Sequence, residues 1–179
     1  MPVESALVVL IPEAESLVEI FRKRFDASAA AGVPAHVTIL YPFKSPDELT
    51  NDITITLREL FLKLSGFTVS FFRIQRFPNA LYLMPDPAEP FRQLTETIAK
   101  VFPDTPPYGG AFKEIIPHLT VAQTNDPQQM DKITADFHEA AKDKLPIHAG
   151  IDTVSLMDNS SGYWQIRVQF SLRPDKLPS

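Results

Sequence analysis

The sequence predicts an α+β chain folded as one compact unit over residues 1–179, made of two similar lobes whose histidine-bearing strands face a shared pseudo-two-fold cleft. Three observations predict it. Apolar patterning alternates between strand and helix periods along the chain. Two strands carry the same His-x-Thr device, PAHVTIL and IPHLTVA, with His36 and His118 82 residues apart. Tyr82 and Trp164, each assigned to the second strand of a later hairpin, are separated by the same 82 residues, as a duplicated unit would be.

The elements follow in order. SALVVLI, from Ser5 to Ile11, is a β-leaning run that stops at Pro12, and EAESLVEIFRKRF then sets Leu17, Ile20, Phe21 and Phe25 at helical spacing. A small-residue loop, ASAAAGVP, leads to AHVTILYPF, a strand that places His36, Thr38 and Leu40 on one face and Val37, Ile39 and Tyr41 on the other. Pro42 closes it. SPDE opens a helix to about Lys63, despite the β-leaning ITIT within it. GFTVSFFRIQRFP and ALYLMP form a hairpin across Pro78-Asn79. PAEPFRQLTETIAKVF is a helix striped by Phe91, Leu94, Ile98 and Phe102, and the Pro/Gly-rich PDTPPYGGAFKE leads from it into IIPHLTVAQ. A helix from about Pro127 to Lys142 comes next, then strands around IHAGIDTVSLM and YWQIRVQFSL, separated by the turn-forming DNSSG. The approach to each histidine strand is also alike: LIPEAES precedes one and LMPDPAE the other.

Bulk properties narrow the function. With 44% hydrophobic and 22% charged residues the chain reads as an ordinary folded protein. A net charge of −5 argues against coating long nucleic acid, which leans on many Lys/Arg contacts to phosphates, but leaves room for a small anion in a local cleft. No basic n-region and no run near the ~20 apolar residues of a spanning helix is found, so no membrane partner is expected. The absence of cysteine fits a reducing compartment. A cytoplasmic monomer is expected.

Two imidazoles and two hydroxyls around one cleft suit in-line displacement at a phosphodiester. Imidazole titrates near neutrality, so one neutral ring can accept a proton from the attacking oxygen while the other, protonated, gives one to the leaving oxygen. Thr38 and Thr120 can donate to non-bridging phosphate oxygens. No metal or other cofactor is required, and neither a metal-ligand spacing nor a G-x-S-x-G elbow is present.

His36-Val37-Thr38 and His118-Leu119-Thr120, set in this duplicated pattern, resemble the paired His-x-Thr/Ser motifs of the 2H phosphoesterase superfamily. The run HVTILYPF is most similar to its bacterial 2′-5′ RNA ligase and cyclic phosphodiesterase-like branch. The resemblance implies two antiparallel β-sheets flanked by helices. It further implies action on a 2′,3′-cyclic phosphate, in a small nucleotide or an RNA end, with ligation of RNA ends in some relatives. His36 and His118 would be the acid/base pair and Thr38 and Thr120 the phosphate clamps. A non-catalytic module that keeps the fold to hold a nucleotide or a protein is the alternative.

Other residues carry weaker expectations. Leu40 and Ala122 continue the histidine faces and should floor the cleft. Phe43 and Trp164 are candidates to stack on a base, with Tyr41 assigned to the core side and one of Tyr163 and Trp164 facing the cleft. Lys44, Arg73, Arg76 and Lys113 could meet a terminal phosphate, although solvated surface is the simpler reading of each. His138 should be exposed on its helix and His148 structural.

Overall fold

The computed structural model describes residues 2–111 and 114–174. Among them the strands are β1 (Ser5–Leu10), β2 (His36–Leu40), β3 (Phe67–Phe77), β4 (Ala80–Asp86), β5 (Leu119–Gln123), β6 (Ile147–Ile151), β7 (Thr153–Asp158) and β8 (Gln165–Ser171). The α-helices are α1 (Pro12–Phe25), the single turn α2 (Ala27–Ala30), α3 (Asn51–Leu62), α4 (Glu89–Val101) and α5 (Pro127–Ala141).

All strand pairs are antiparallel, and the strands run β6-β3-β4-β5-β2-β1-β7-β8. Two four-stranded halves are thus joined into one curled sheet where Val37 of β2 pairs with Leu119 of β5. The order is symmetric about that junction. One half is the continuous stretch from β3 to β6; the other combines β1 and β2 with β7 and β8. The counterpart of β4 is therefore β1, not β8. Tyr82, which pairs with Thr120, answers to Val8, which pairs with Thr38. The equal Tyr82–Trp164 interval does not express the symmetry.

The core explains why the elements form where they do. On α1, Ala14, Leu17 and Val18 are buried, and on α4, Phe91, Leu94 and Ile98 are. Each helix packs beneath the histidine strand of the opposite half, α1 against β5 and α4 against β2. The helix expected to run from SPDE to Lys63 is interrupted. Residues Pro46–Glu48 make one 3-10 turn, closed by reciprocal bonds between Ser45 and Glu48, and Leu49 then leaves helical geometry and is buried. Thr50 starts α3 afresh by accepting from the Ile53 N–H. The β-leaning ITIT stays helical because Leu57 and Phe61 beyond it are fully buried, anchoring α3 against β8.

IHAGIDTVSLM divides at Asp152 into β6 and β7, which belong to opposite halves of the sheet. The two ends of the curled sheet meet there. Leu172 N–H donates to Asp152 O (2.9 Å), Gly66 N–H to Arg173 O (2.8 Å), and Arg173 N–H to Leu64 O (2.8 Å). Gly66 permits this approach, since a Cβ there would lie 2.8 Å from the Ile151 carbonyl oxygen. Among the described residues no helix is long and apolar enough to cross a membrane.

Candidate active site

Val37 and Leu119 are fully buried and point toward the helices. Their neighbours therefore project from the other face of the sheet. There His36, Thr38, His118 and Thr120, each half-buried, line a single cavity of about 490 Å³. Extending the Val37–Leu119 register by one residue either way sets His36 beside Thr120 and Thr38 beside His118. Each imidazole has the other motif's hydroxyl as its cross-strand neighbour.

Bonds from the helices hold both strands by their leading ends. Ala35 N–H donates to the Glu15 carboxylate of α1 (2.8 Å) and Ile11 N–H to Ala35 O (2.9 Å). Arg22, at 1% exposure, binds Asp26 (3.1 Å), the Ser28 hydroxyl (3.1 Å) and Val33 O (2.9 Å), fixing the loop that precedes His36. On the other side Arg92 of α4 donates to Ile115 O (3.0 Å), three residues ahead of His118.

The rings are oriented identically. Nδ1 of His36 lies 2.7 Å from Pro34 O, and Nδ1 of His118 lies 2.7 Å from Ile116 O. A carbonyl only accepts, so Nδ1 carries the proton in both and Nε2 is left for chemistry. The His118 ring also packs edge-on against Phe77 (5.2 Å between centroids) and Tyr82 (5.6 Å). Burial lowers the pKa of His36 from its ordinary value to about 4, against the opposing pull of its bond to Pro34 O. His118 is lowered as well, by burial first, with its bond to Ile116 O acting the other way. Both rings are thus shifted toward the neutral form.

The strands do not stay regular beyond the threonines. The β1–β2 register steps from Val8–Thr38 to Leu7–Leu40, and the β4–β5 register steps from Tyr82–Thr120 to Leu81–Ala122. Each step is a bulge that inserts one extra residue, Ile39 or Val121, and reverses the facing of every residue beyond it on the strand. Leu40 and Ala122 are therefore fully buried in the core rather than flooring the cleft, while Tyr41 and Gln123 line the cavity. Thr95 of α4 donates its hydroxyl to Ile39 O (2.7 Å) and so secures one bulge.

Phe43 does not reach the cavity. It is 6% exposed, packed edge-on against Phe102 at 5.2 Å, with its N–H on Ser5 O (2.9 Å). Trp164 does line the cavity, in edge contact with Tyr41 at 6.3 Å, while the Tyr163 ring lies over Gly32. Lys44 is paired with Asp104 (2.9 Å) and Arg76 with Asp131 (2.9 Å), and Arg73 stands over Phe72. None of the three lines the cavity. Lys113 lies outside the described residues. His138 is exposed, and His148 shares a hydrogen bond with Ser70 (2.8 Å) on the surface.

Sequence reasoning missed Tyr108 and Glu4. Tyr108 comes from the Pro/Gly-rich loop, bonds its hydroxyl to Thr38, and anchors its N–H on Tyr41 O (2.7 Å). Its φ of +52°, followed by positive φ at Gly109 and Gly110, turns the loop back over β2. The pair of glycines was the available signal, but it names no target. Among the described residues, no group of three His, Cys, Asp or Glu is arranged to hold a metal ion.

The chain is similar to known proteins in sequence and in fold. A sequence model of the 2′-5′ RNA ligase superfamily matches residues 11–162. A Bacillus licheniformis protein named as a candidate phosphoesterase is 29% identical over 174 residues, covering 92% of this chain and 96% of its own length. TT0787 of Thermus thermophilus has a similar fold, with a TM-score of 0.63 at 17% identity over 97% of this chain and 100% of the other. LigT of E. coli, crystallised with 3′-AMP, gives 0.55 at 16% identity over 96% and 99%.

Proposed function

This chain belongs to the 2′-5′ RNA ligase superfamily, and from that membership we propose that it is a metal-independent phosphoesterase that opens 2′,3′-cyclic phosphates, on a small nucleotide or an RNA end. The observation that carries this reading is the matched pair of imidazoles, each with Nδ1 committed to a backbone carbonyl two residues earlier.

One histidine, neutral, takes a proton from water through Nε2 as the water oxygen attacks phosphorus. The other, protonated once the phosphate anion is bound, gives its Nε2 proton to the departing ribose oxygen. The P–O bond to that oxygen breaks, water is added overall, and the product is a ribose monophosphate. Thr38 and Thr120 donate to the non-bridging oxygens, where charge builds up in the transition state. With a ribose hydroxyl in place of water the same steps join two RNA ends. The 3′-AMP held by LigT has the chemistry of one such product. The working compartment is the cytoplasm.

The test is turnover of the four nucleoside 2′,3′-cyclic phosphates with and without chelator, by the parent chain and by His36→Ala and His118→Ala. Each variant should lose at least about 10²-fold in kcat, with unchanged circular dichroism. Turnover that survives either substitution, or that disappears with chelator, would overturn the reading. Binding without turnover in the parent would make the chain a nucleotide-binding module instead.

A further inference from the structure

We propose that the cavity contains a second subsite, on the His36 side only, for a planar ring presenting amino N–H groups along its edge, with Glu4 as the acceptor that selects it. This rests on the phosphoester reading, and it adds which organic half the phosphoester should carry.

The two halves of the site are not alike. The β4 position next to Thr120 is Tyr82, whose ring stacks on Phe77 at 4.3 Å and closes against His118. Its counterpart next to Thr38 is Val8. A small side chain where the other half has an aromatic ring leaves space beside His36. That space has an apolar wall, since Ala6, Val8, Val33 and Met157 form a buried cluster separate from the main core and all line the cavity. Trp164 packs on the same cluster, and its backbone N–H donates to Ala31 O (2.9 Å). An apolar wall with an indole at its rim accommodates a flat ring.

The edge of the space is polar and fixed. Glu4 is a lining residue of the cavity, and its carboxylate accepts from the hydroxyl of Tyr41, another lining residue, through Oε2 (2.5 Å). Its backbone is clamped to Asn159 in both directions, Glu4 N–H to Oδ1 (2.7 Å) and Asn159 N–H to Glu4 O (3.2 Å), while Asn159 Nδ2 donates to Pro2 O (3.2 Å). Tyr41 thus orients one carboxylate oxygen, and the group's remaining capacity is to accept from a ligand. No Lys or Arg is among the described lining residues, so a second phosphate would find no cation here.

A carboxylate on an apolar wall favours rings that offer amino groups and disfavours rings that offer carbonyl oxygens. Guanine, adenine and cytosine each bring an exocyclic amine. Uracil brings a single ring N–H flanked by two carbonyl oxygens, and should be the poorest ligand.

Trp164 is the only tryptophan in the chain, so its fluorescence reads this subsite directly. The experiment titrates the 3′-monophosphates of the four nucleosides into the parent chain and into Glu4→Gln, with calorimetry in parallel. The expected result is that the three amino-bearing nucleotides quench Trp164 and bind about 10-fold or more tightly than 3′-UMP, as one hydrogen bond to a charged group allows. Glu4→Gln should bring the four within about 3-fold of each other. Equal affinities across the four bases in the parent chain, or calorimetric binding that leaves Trp164 fluorescence unchanged, would overturn the subsite; this comparison needs no variant. Base preference without turnover of any cyclic phosphate would leave the subsite standing and remove the phosphoesterase reading. Turnover without base preference would do the reverse.

Discussion

Val37 and Leu119 pair backbone to backbone at the centre of the sheet, both fully buried, and this one pairing sets His36, Thr38, His118 and Thr120 on a common face. Leu119→Ala should therefore do two things. It should cost about 2–5 kcal/mol of stability, as a cavity in a packed core does, read by denaturant unfolding. It should also lower kcat in the folded fraction, because the hydroxyl–imidazole neighbours lose their common support. Full kcat per folded molecule would show that the register is held elsewhere.

Protonation should couple to folding at the same place. Burial lowers the His36 pKa from 6.5 to about 4 and lowers His118 in the same direction. Between those two pH values the unfolded chain binds a proton at His36 that the folded chain does not, and the lowering at His118 acts in the same direction. Stability is thus fully present above about pH 6.5 and falls as pH drops toward 4. His36→Gln should flatten the fall of Tm across that window, and inorganic phosphate should do so in the parent by stabilising the protonated rings. A Tm profile of the same slope in parent and variant would contradict this.

Activity should follow the same rings. A general acid whose free pKa is depressed is deprotonated early, so kcat/KM should peak below neutrality and decline on the alkaline side. A peak above pH 8 would mean that some other group supplies the proton.

Tyr108 acts through Thr38, to which its hydroxyl is bonded. Tyr108→Phe should lower kcat with little change in KM, by less than the ~10²-fold or more expected when a transition-state donor is removed in Thr38→Val. Adding Tyr108→Phe to Thr38→Val should cost almost nothing further. If the two losses multiply instead, Tyr108 has a role of its own.

Gly32 holds the Trp164 side of the cavity in shape. Its φ of +106° suits glycine alone, and a Cβ there would lie 2.5 Å from the Tyr163 ring. Gly32→Ala should cost about 1–3 kcal/mol and should shift the emission of Trp164, whose backbone N–H donates to the neighbouring Ala31 O. An unchanged emission spectrum would show that the loop repacks without moving the indole.

The strand period made the site legible as far as Thr38 and Thr120, because two-residue alternation needs no tertiary information. It failed at Leu40 and Ala122 for one physical reason. A bulge adds a single residue, and nothing in HVTIL or HLTVA marks Ile39 or Val121 as the extra one. The same step carried Tyr41 into the cavity, and beyond it Phe43 packed inward on Phe102. Glu4 and Asn159 were illegible because they meet across 155 residues of chain. The helices were read from their apolar stripes, while the interruption at Leu49 depends on where the core has room for a leucine. The shared Tyr82–Trp164 spacing pointed to the symmetric strand order through a pair that is not equivalent.

The exchange of helices between halves has a consequence for how the molecule opens. With α1 beneath β5 and α4 beneath β2, neither half can come apart without stripping the backing from the other's histidine strand. Sub-global opening should begin at the outer strands and spare the middle. In hydrogen–deuterium exchange the slowest amides should cluster on β2 and β5 and vanish together, so the chain either presents both imidazoles or has unfolded altogether.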